Sequence, residues 1–244
     1  MLSQEFLIQR GYCCGHGCLM CPYEPKHTEG NTNLMGDSYG AAKELEKKIL
    51  IVCALEIETQ GQLNDYDVLY TGVGKVNATI KLMERLGSIF LSREGEIAPN
   101  LVINYGTAGS RKIKKKTLVD CTKFVQRDMD VTGLGFMRGE TPFEQDPPFV
   151  IQQQNIEFNP IGKNASCGSG DNFVEDKTNY YGEVVDMEAY ALAKVCYLYD
   201  VPFISFKYIT DGADGDANND WEENVGKGIK VFNEMVLSKL DVSS

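Results

Sequence analysis

Positive charge is what this sequence is short of: 24 lysines and arginines stand against 35 aspartates and glutamates over 244 residues, a formal charge of -11. Such a surface repels a nucleic-acid backbone or an anionic membrane, so neither is expected as a partner. The single basic run, Arg111-Lys112-Ile113-Lys114-Lys115-Lys116, reads as a solvated loop or helix end. Long apolar runs are also missing, since no window approaches the roughly 18 apolar residues that span a bilayer. Met1-Leu2-Ser3-Gln4-Glu5-Phe6 has no basic segment leading into an apolar one, and a soluble, cytoplasmic protein is expected. A complete phosphate-binding fingerprint is absent as well. Gly72-Val73-Gly74-Lys75 fits neither the P-loop spacing nor the dinucleotide motif, because Asn77 occupies the third glycine position. A tight strand-to-helix turn accounts for it.

What is present is enough apolar material, 43% of residues, for one sizeable core. Residues 1–40 differ in character from the rest, being rich in Cys and Gly and ending in the polar stretches Asn31-Thr32-Asn33 and Gly36-Asp37-Ser38. A boundary near residue 41 divides the chain into a Cys-rich extension, 1–40, and a main domain, 41–244. In the main domain short apolar runs alternate with helical patterns: Ile49 to Ala54, a helix from about Lys75, then Leu101 to Tyr105. Further runs follow at Leu118-Val119, Phe149 to Ile151, Val184-Val185 and Pro202 to Phe206. This alternation indicates an α/β domain with a largely parallel sheet. A helix is predicted over 187–199, and Val225, Ile229, Phe232, Val236 and Leu240 build the apolar stripe of a last one.

Four segments place acidic or small residues where predicted strands end, the position at which α/β sheets form their ligand crevices. They are Ala54-Leu55-Glu56-Ile57-Glu58, Tyr105-Gly106-Thr107-Ala108-Gly109, Val185-Asp186-Met187-Glu188-Ala189 and Ile209-Thr210-Asp211-Gly212-Ala213-Asp214. Any one acid among them reads equally as a helix cap; their shared position at strand ends points to a site.

Ala54 to Glu58, Gly72 to Lys75, Asn104 to Gly109, Asp128 to Gly135, Ser169 to Val174, Val185 to Ala193 and Val201 to Asp214 resemble in order the motifs of the methylthioadenosine/S-adenosylhomocysteine nucleosidases of the nucleoside phosphorylase superfamily, over about residues 48–240. The resemblance implies a three-layer α/β fold with a central mixed sheet flanked by helices. It also implies hydrolysis of the N-glycosidic bond of a purine nucleoside through an oxocarbenium-like state, with no cofactor for the chemistry. On that basis Glu58 activates water and Asp211 protonates the purine, so Asp211 must keep a proton near neutral pH. Glu188 accepts from the ribose hydroxyls, Met187 packs on the sugar, Phe173 stacks on the base and the Val174 backbone reads its edge. Thr107 and Lys207 stand near the attacking water, with lysine where the family has arginine, and Trp221 takes an aromatic lid position. Family members are homodimers, and Val131 and Leu134 match a loop that closes the neighbour's site. The chain departs from the family between Thr59 and Tyr70, where it is shorter and lacks a strand pair, and again between Arg138 and Asn164.

Of eight cysteines, Cys13, Cys14, Cys18 and Cys21 fall within nine residues, whereas Cys53, Cys121, Cys167 and Cys196 are scattered through apolar runs. The scattered ones read as buried thiols; the cluster suggests a metal. This extension resembles a small Cys-rich domain of unassigned function. Structural zinc on Cys13, Cys14, Cys18 and Cys21, with His16 or His27 as further ligands, is the first reading; an iron–sulfur cluster and reduced structural cysteines follow. Three functions stay open for the whole chain: a nucleosidase acting on a 5′-modified adenosine or a futalosine-type nucleoside, a purine nucleoside phosphorylase, and an inactive metal-binding or interaction protein.

Overall fold

The computed structural model describes residues 8, 11–16, 21–33, 48–91, 98–153, 156–175 and 181–240. The chain divides into two compact units, Met1–Glu46 and Lys47–Ser244. In the second unit β1 (Ile49–Cys53) leads into a one-turn helix α1 (Glu56–Thr59), then β2 (Val68–Tyr70) and the long helix α2 (Lys75–Leu91). β3 (Leu101–Gly109) and β4 (Leu118–Gln126) are the longest early strands, and a 3-10 turn at Thr132–Leu134 follows them. β5 (Val150–Gln152), β6 (Ala165–Ser169), β7 (Val184–Asp186), α3 (Ala189–Leu198) and β8 (Phe203–Asp211) complete the sheet region. After α4 (Ala217–Asn224) comes a terminal helical run, α5 (Ile229–Phe232), a π-helical turn Asn233–Leu237 and α6 (Ser238–Leu240).

The eight strands form one mixed sheet in the order β2-β1-β3-β7-β6-β4-β5, with β8 bridging β3 and β4. β1–β2, β1–β3, β3–β8, β4–β6 and β6–β7 run parallel, whereas β3–β7, β4–β5 and β4–β8 run antiparallel. The largely parallel sheet expected from the alternation is therefore a mixed one. The reason is that β4 leaves β3 by a short turn rather than through a helix, so it pairs antiparallel with β8. Because β8 joins β3 to β4 while β7 and β6 join them on the other side, this part of the sheet closes on itself.

Burial explains the strand sequences. β3 and β8 are covered on both faces, and the apolar runs in them do not alternate as a half-solvated strand would. On one face Ala78, Leu82, Leu86 and Ile89 of α2, at helical spacing, sit fully or almost fully buried and meet α3, itself buried nearly all round. On the other face Ile51, Ile103, Tyr105, Ile204 and Phe206 meet Ile229, Phe232 and Val236 of the terminal run, with Tyr105 and Phe232 stacked at 4.4 Å between ring centres. Helices on both faces make the three layers. The predicted last helix starts at Ile229 rather than Val225, because residues 225–228 form a turn in which Gly228 lies against the Tyr208 ring where a side chain would not fit. β2 closes the segment from Thr59 to Tyr70, and β6 was not foreseen, its Ala165-Ser166-Cys167-Gly168-Ser169 being too small and polar to signal a strand. Among the described residues no helix is long and apolar enough to cross a membrane.

Candidate active site

The ends of β1, β3, β7 and β8 surround a cavity of about 160 Å³. Its lining includes Glu58, Thr107, Phe173, Val174, Met187, Glu188, Asp211 and Trp221, eight of the side chains singled out from sequence.

Glu58 is held as a fixed acceptor. It is the third residue of α1, and its Oε2 accepts from the Leu55 backbone N–H at 3.1 Å, the back-reaching half of a capping box. Its Oε1 accepts from the Thr107 N–H at 2.7 Å and the Thr107 hydroxyl at 2.9 Å. That hydroxyl in turn accepts from the Trp221 indole N–H at 3.0 Å, which aims its own hydrogen at Glu58. The approach is close because β3 carries glycine at 106: a Cβ there would stand 3.3 Å from both Glu58 Oε1 and Lys207 Nζ.

Asp211, the last residue of β8, has a different setting. Its Oδ1 accepts from the Ala213 N–H at 2.9 Å and its Oδ2 from the Thr210 hydroxyl at 2.9 Å. Among the described residues no cation pairs with it. Burial pushes its pKa up, and the two hydrogen bonds oppose that only in part. Gly109 of β3 is required beside it, since a methyl group at that position would overlap the carboxyl.

Between these two lies a buried charge cluster. Glu188 Oε1 accepts from the Gly74 N–H at 2.8 Å, which gives the Gly72-to-Lys75 turn a role: it delivers an amide to the site. Gly74 adopts φ 94°, a conformation that glycine takes without strain. Burial, and then the charge of Asp186, push the Glu188 pKa up to about 8, against the pull of Lys207. Asp186 and Lys207 form an ion pair of 2.8 Å with both side chains 1% exposed. Asp186 also accepts from the Ser169 hydroxyl and the Ala189 N–H. It is held ionised despite burial by the lysine charge and these donors.

The outer wall is aromatic. Phe173, 40% exposed, meets Trp221 edge-on with ring centres 6.4 Å apart. Arg127, at the end of β4, holds the segment before Phe173: its guanidinium donates to Asn172 Oδ1 at 2.9 Å, to the Gly170 carbonyl at 3.1 Å and to the Asn172 carbonyl. Lys75 reaches across to Asp128 at 2.5 Å and Asp171 at 3.4 Å, tying the Gly72-to-Lys75 turn to the same segment.

Three expected residues are not in the lining of this cavity. Lys207 does not line the cavity; it is spent on Asp186 behind the wall, because a buried ammonium needs a partner more than a water site does. Val131 and Leu134 flank or occupy the 3-10 turn, outside this cavity, with Leu134 75% exposed. Conversely, Arg127, Asn172 and Asp186 line the cavity without having been singled out for roles. An arginine closing the apolar run of β4 was the one available signal. In the Cys-rich unit Cys13 and Cys21 are buried with their sulfurs 3.6 Å apart, Cys14 is half-buried, and Cys18 lies outside the described residues.

Comparison with known proteins agrees with this geometry. The phosphorylase superfamily matches residues 59–240, and a family of unknown function, DUF5522, matches residues 2–27. A 5′-methylthioadenosine/S-adenosylhomocysteine nucleosidase of Haemophilus influenzae (strain PittEE) is 33% identical over 204 residues, 75% of this chain and 84% of the relative. One from Staphylococcus carnosus (strain TM300) is 30% identical over 202 residues, 74% of this chain and 84% of the relative. In fold the chain is similar to an MTAN mutant of Helicobacter pylori with 5′-methylthioadenosine in the active site, at TM-score 0.67 and 22% identity, covering 81% of this chain and 99% of that one. A futalosine hydrolase mutant of the same species gives TM-score 0.65 at 22% identity, over 80% and 99%.

Proposed function

The chain belongs to the 5′-methylthioadenosine/S-adenosylhomocysteine nucleosidases of the phosphorylase superfamily, and from that premise we propose how its side chains divide the work. The enzyme is a hydrolase of the N-glycosidic bond of a 5′-modified adenosine, a small-molecule substrate, releasing adenine and the ribose moiety. Glu58 takes a proton from water as the oxygen attacks C1′; the glycosidic electron pair leaves to the purine, whose N7 is protonated by Asp211. Base and acid are both side chains of this chain, so the proposed step draws on no cofactor. Glu188 receives the ribose hydroxyls, whose donors favour its ionised form, so a nucleoside entering at neutral pH displaces a proton from it. Phe173 stacks on the purine, Val174 offers its backbone to the base edge, and Met187 packs on the sugar.

The observation that carries hydrolysis over phosphorolysis is the carboxylate at Thr107. The β3-end amide and hydroxyl that could receive an anion are already taken by Glu58 Oε1 at 2.7 and 2.9 Å. The arginine of the cavity is committed to residues 170–172. Asn104, where a second phosphate-binding arginine would stand, is buried and bonded to Val52 O at 2.9 Å and Ser205 Oγ at 2.7 Å. Phosphate would meet a negative charge, and the guanidinium in the cavity lining already donates to Asn172 and the Gly170 carbonyl. Base release from methylthioadenosine is therefore expected to run at the same rate with and without phosphate. A severalfold acceleration with ribose-1-phosphate accumulating would overturn the assignment, and parallel assays with S-adenosylhomocysteine and futalosine read the 5′ preference.

The proposal extends to a homodimer in the cytoplasm. Leu134, Met137 and Phe143, 75%, 57% and 92% exposed, form an apolar loop that costs free energy in water and suits closure over a neighbour's site. The seven described cysteines are all unbridged, as a reducing compartment keeps them.

A further inference from the structure

The catalytic reading leaves the Cys-rich unit unused. There the Cys13 backbone is pinned, its N–H donating to the Asn31 carbonyl and its carbonyl accepting from the Gly30 N–H. Cys13 and Cys21 are 2% and 5% exposed and pack with Tyr23 into a small cluster of their own. Their sulfurs stand 3.6 Å apart. A disulfide would bring them to about 2.05 Å. Two thiolates on one zinc ion, each bond about 2.3 Å at a tetrahedral angle, stand about 3.8 Å apart. The observed separation thus matches the edge of a thiolate tetrahedron. Cys14, His16 and His27 surround the same small cavity. Among the described residues no three metal-binding side chains converge as a closed site, so the geometry carries the Cys13–Cys21 edge, with Cys14, His16 and His27 the nearest further donors.

We infer that Cys13 and Cys21 are two thiolate ligands of a bound zinc ion. Zinc suits the donor set: soft sulfur with imidazole alongside, four-coordinate, with no redox demand. A unit of some 46 residues is small for folding by apolar burial alone, and a bound metal adds folding free energy to such a unit.

The test uses the full chain, purified under reducing conditions without chelator. Elemental analysis is expected to give about one zinc per chain, and exchange for cobalt(II) should produce intense thiolate-to-cobalt charge-transfer absorption. Cys13→Ser with Cys21→Ser should lose at least nine-tenths of the metal and that absorption, while nucleosidase turnover reports that the second unit is folded. Cys13→His exchanges one thiolate for an imidazole and should retain zinc with weaker absorption, a change that a packing role would not produce. Metal-free wild-type protein, a mass two hydrogens low from a Cys13–Cys21 disulfide, iron with sulfide instead of zinc, or an undiminished cobalt band in Cys13→His would each overturn the inference.

Discussion

The inner and outer walls of the cavity are built on opposite principles. The inner wall is charged and dry: Glu58, Asp186, Glu188 and Asp211 are all at most 8% exposed and fixed by strand ends, short turns and the ion pair of Asp186 with Lys207 behind it. The outer wall is aromatic and half open, with Phe173 and the Trp221 edge contact, and its charged ties, Lys75 to Asp128 and Asp171, are partly exposed. In the dry wall a charge interacts strongly and its loss is felt in full, whereas water screens and compensates changes in the wet one. Alterations inside should therefore act on turnover and folding, with substrate affinity touched only at Glu188, and alterations outside on substrate affinity alone.

The largest contrast should come from Asp211→Asn and Glu58→Gln. Each is expected to lower kcat by about 10²–10⁴ with KM nearly unchanged, because both groups act on charge that develops in the transition state. Asparagine keeps an oxygen for the Ala213 amide, so the Tm of the Asp211 variant should hold. Near-normal turnover at unchanged Tm would reduce Asp211 to a turn cap.

Next comes the ion pair behind the wall. Lys207→Met leaves Asp186 buried and unpaired and should cost about 3–5 kcal/mol, a fall in Tm of roughly 10 °C. The double change with Asp186→Asn should cost less than Lys207→Met alone, which thermal denaturation of the four proteins would establish. Equal or greater loss in the double variant would mean that the pair is replaceable packing.

The pH dependence follows from Glu188. Its pKa rises from 4.5 to about 8 on folding, so above 4.5 the folded state binds the proton more tightly than the unfolded one. Stability of the ligand-free enzyme then falls as pH rises from about 4.5 to 8, and the raised Asp211 adds to this in the same direction. Glu188→Gln should flatten that slope in a Tm-against-pH series and raise KM, since the ribose hydroxyls lose a carboxylate. An unchanged slope would place the Glu188 proton elsewhere.

The smallest effects belong to the outer wall. Phe173→Leu should raise KM roughly 2- to 12-fold, the equivalent of an aromatic stacking contact of about 0.5–1.5 kcal/mol, at nearly constant kcat and Tm. A fall in kcat beyond tenfold would show that the two walls are not independent, through the Trp221–Thr107–Glu58 chain.

The acids of the inner wall were legible because strand ends announce themselves: an apolar run stopping at Glu56-Ile57-Glu58 or Thr210-Asp211-Gly212 marks both the edge of the sheet and the polar group left there. The start of α2 at Lys75 was legible for a related reason, since glycines and then a periodic apolar stripe leave a single place for the turn to become a helix. Arg127 was not legible, because nothing local distinguishes a guanidinium aimed at residues 170–172 from one in solvent; its donors have partners 43 and 45 positions away. The partner of Lys207 was not legible for the same cause. The lysine's strand position follows from the sequence, but only its pairing across the closed part of the sheet shows that Asp186 claims its charge.

The sequence alone determined the alternation of strands and helices, the separate Cys-rich unit and the set of carboxyl groups at strand ends, because these depend on periodicity and composition within a few residues. Tertiary structure alone decided which carboxyl keeps its proton. Asp211 and Glu188 end with burial that outweighs their hydrogen bonds, and Asp186 with a lysine that holds it ionised. A proton's free energy is fixed by the solvent excluded and the charges gathered within a few ångströms, and those come from strands far apart in the chain.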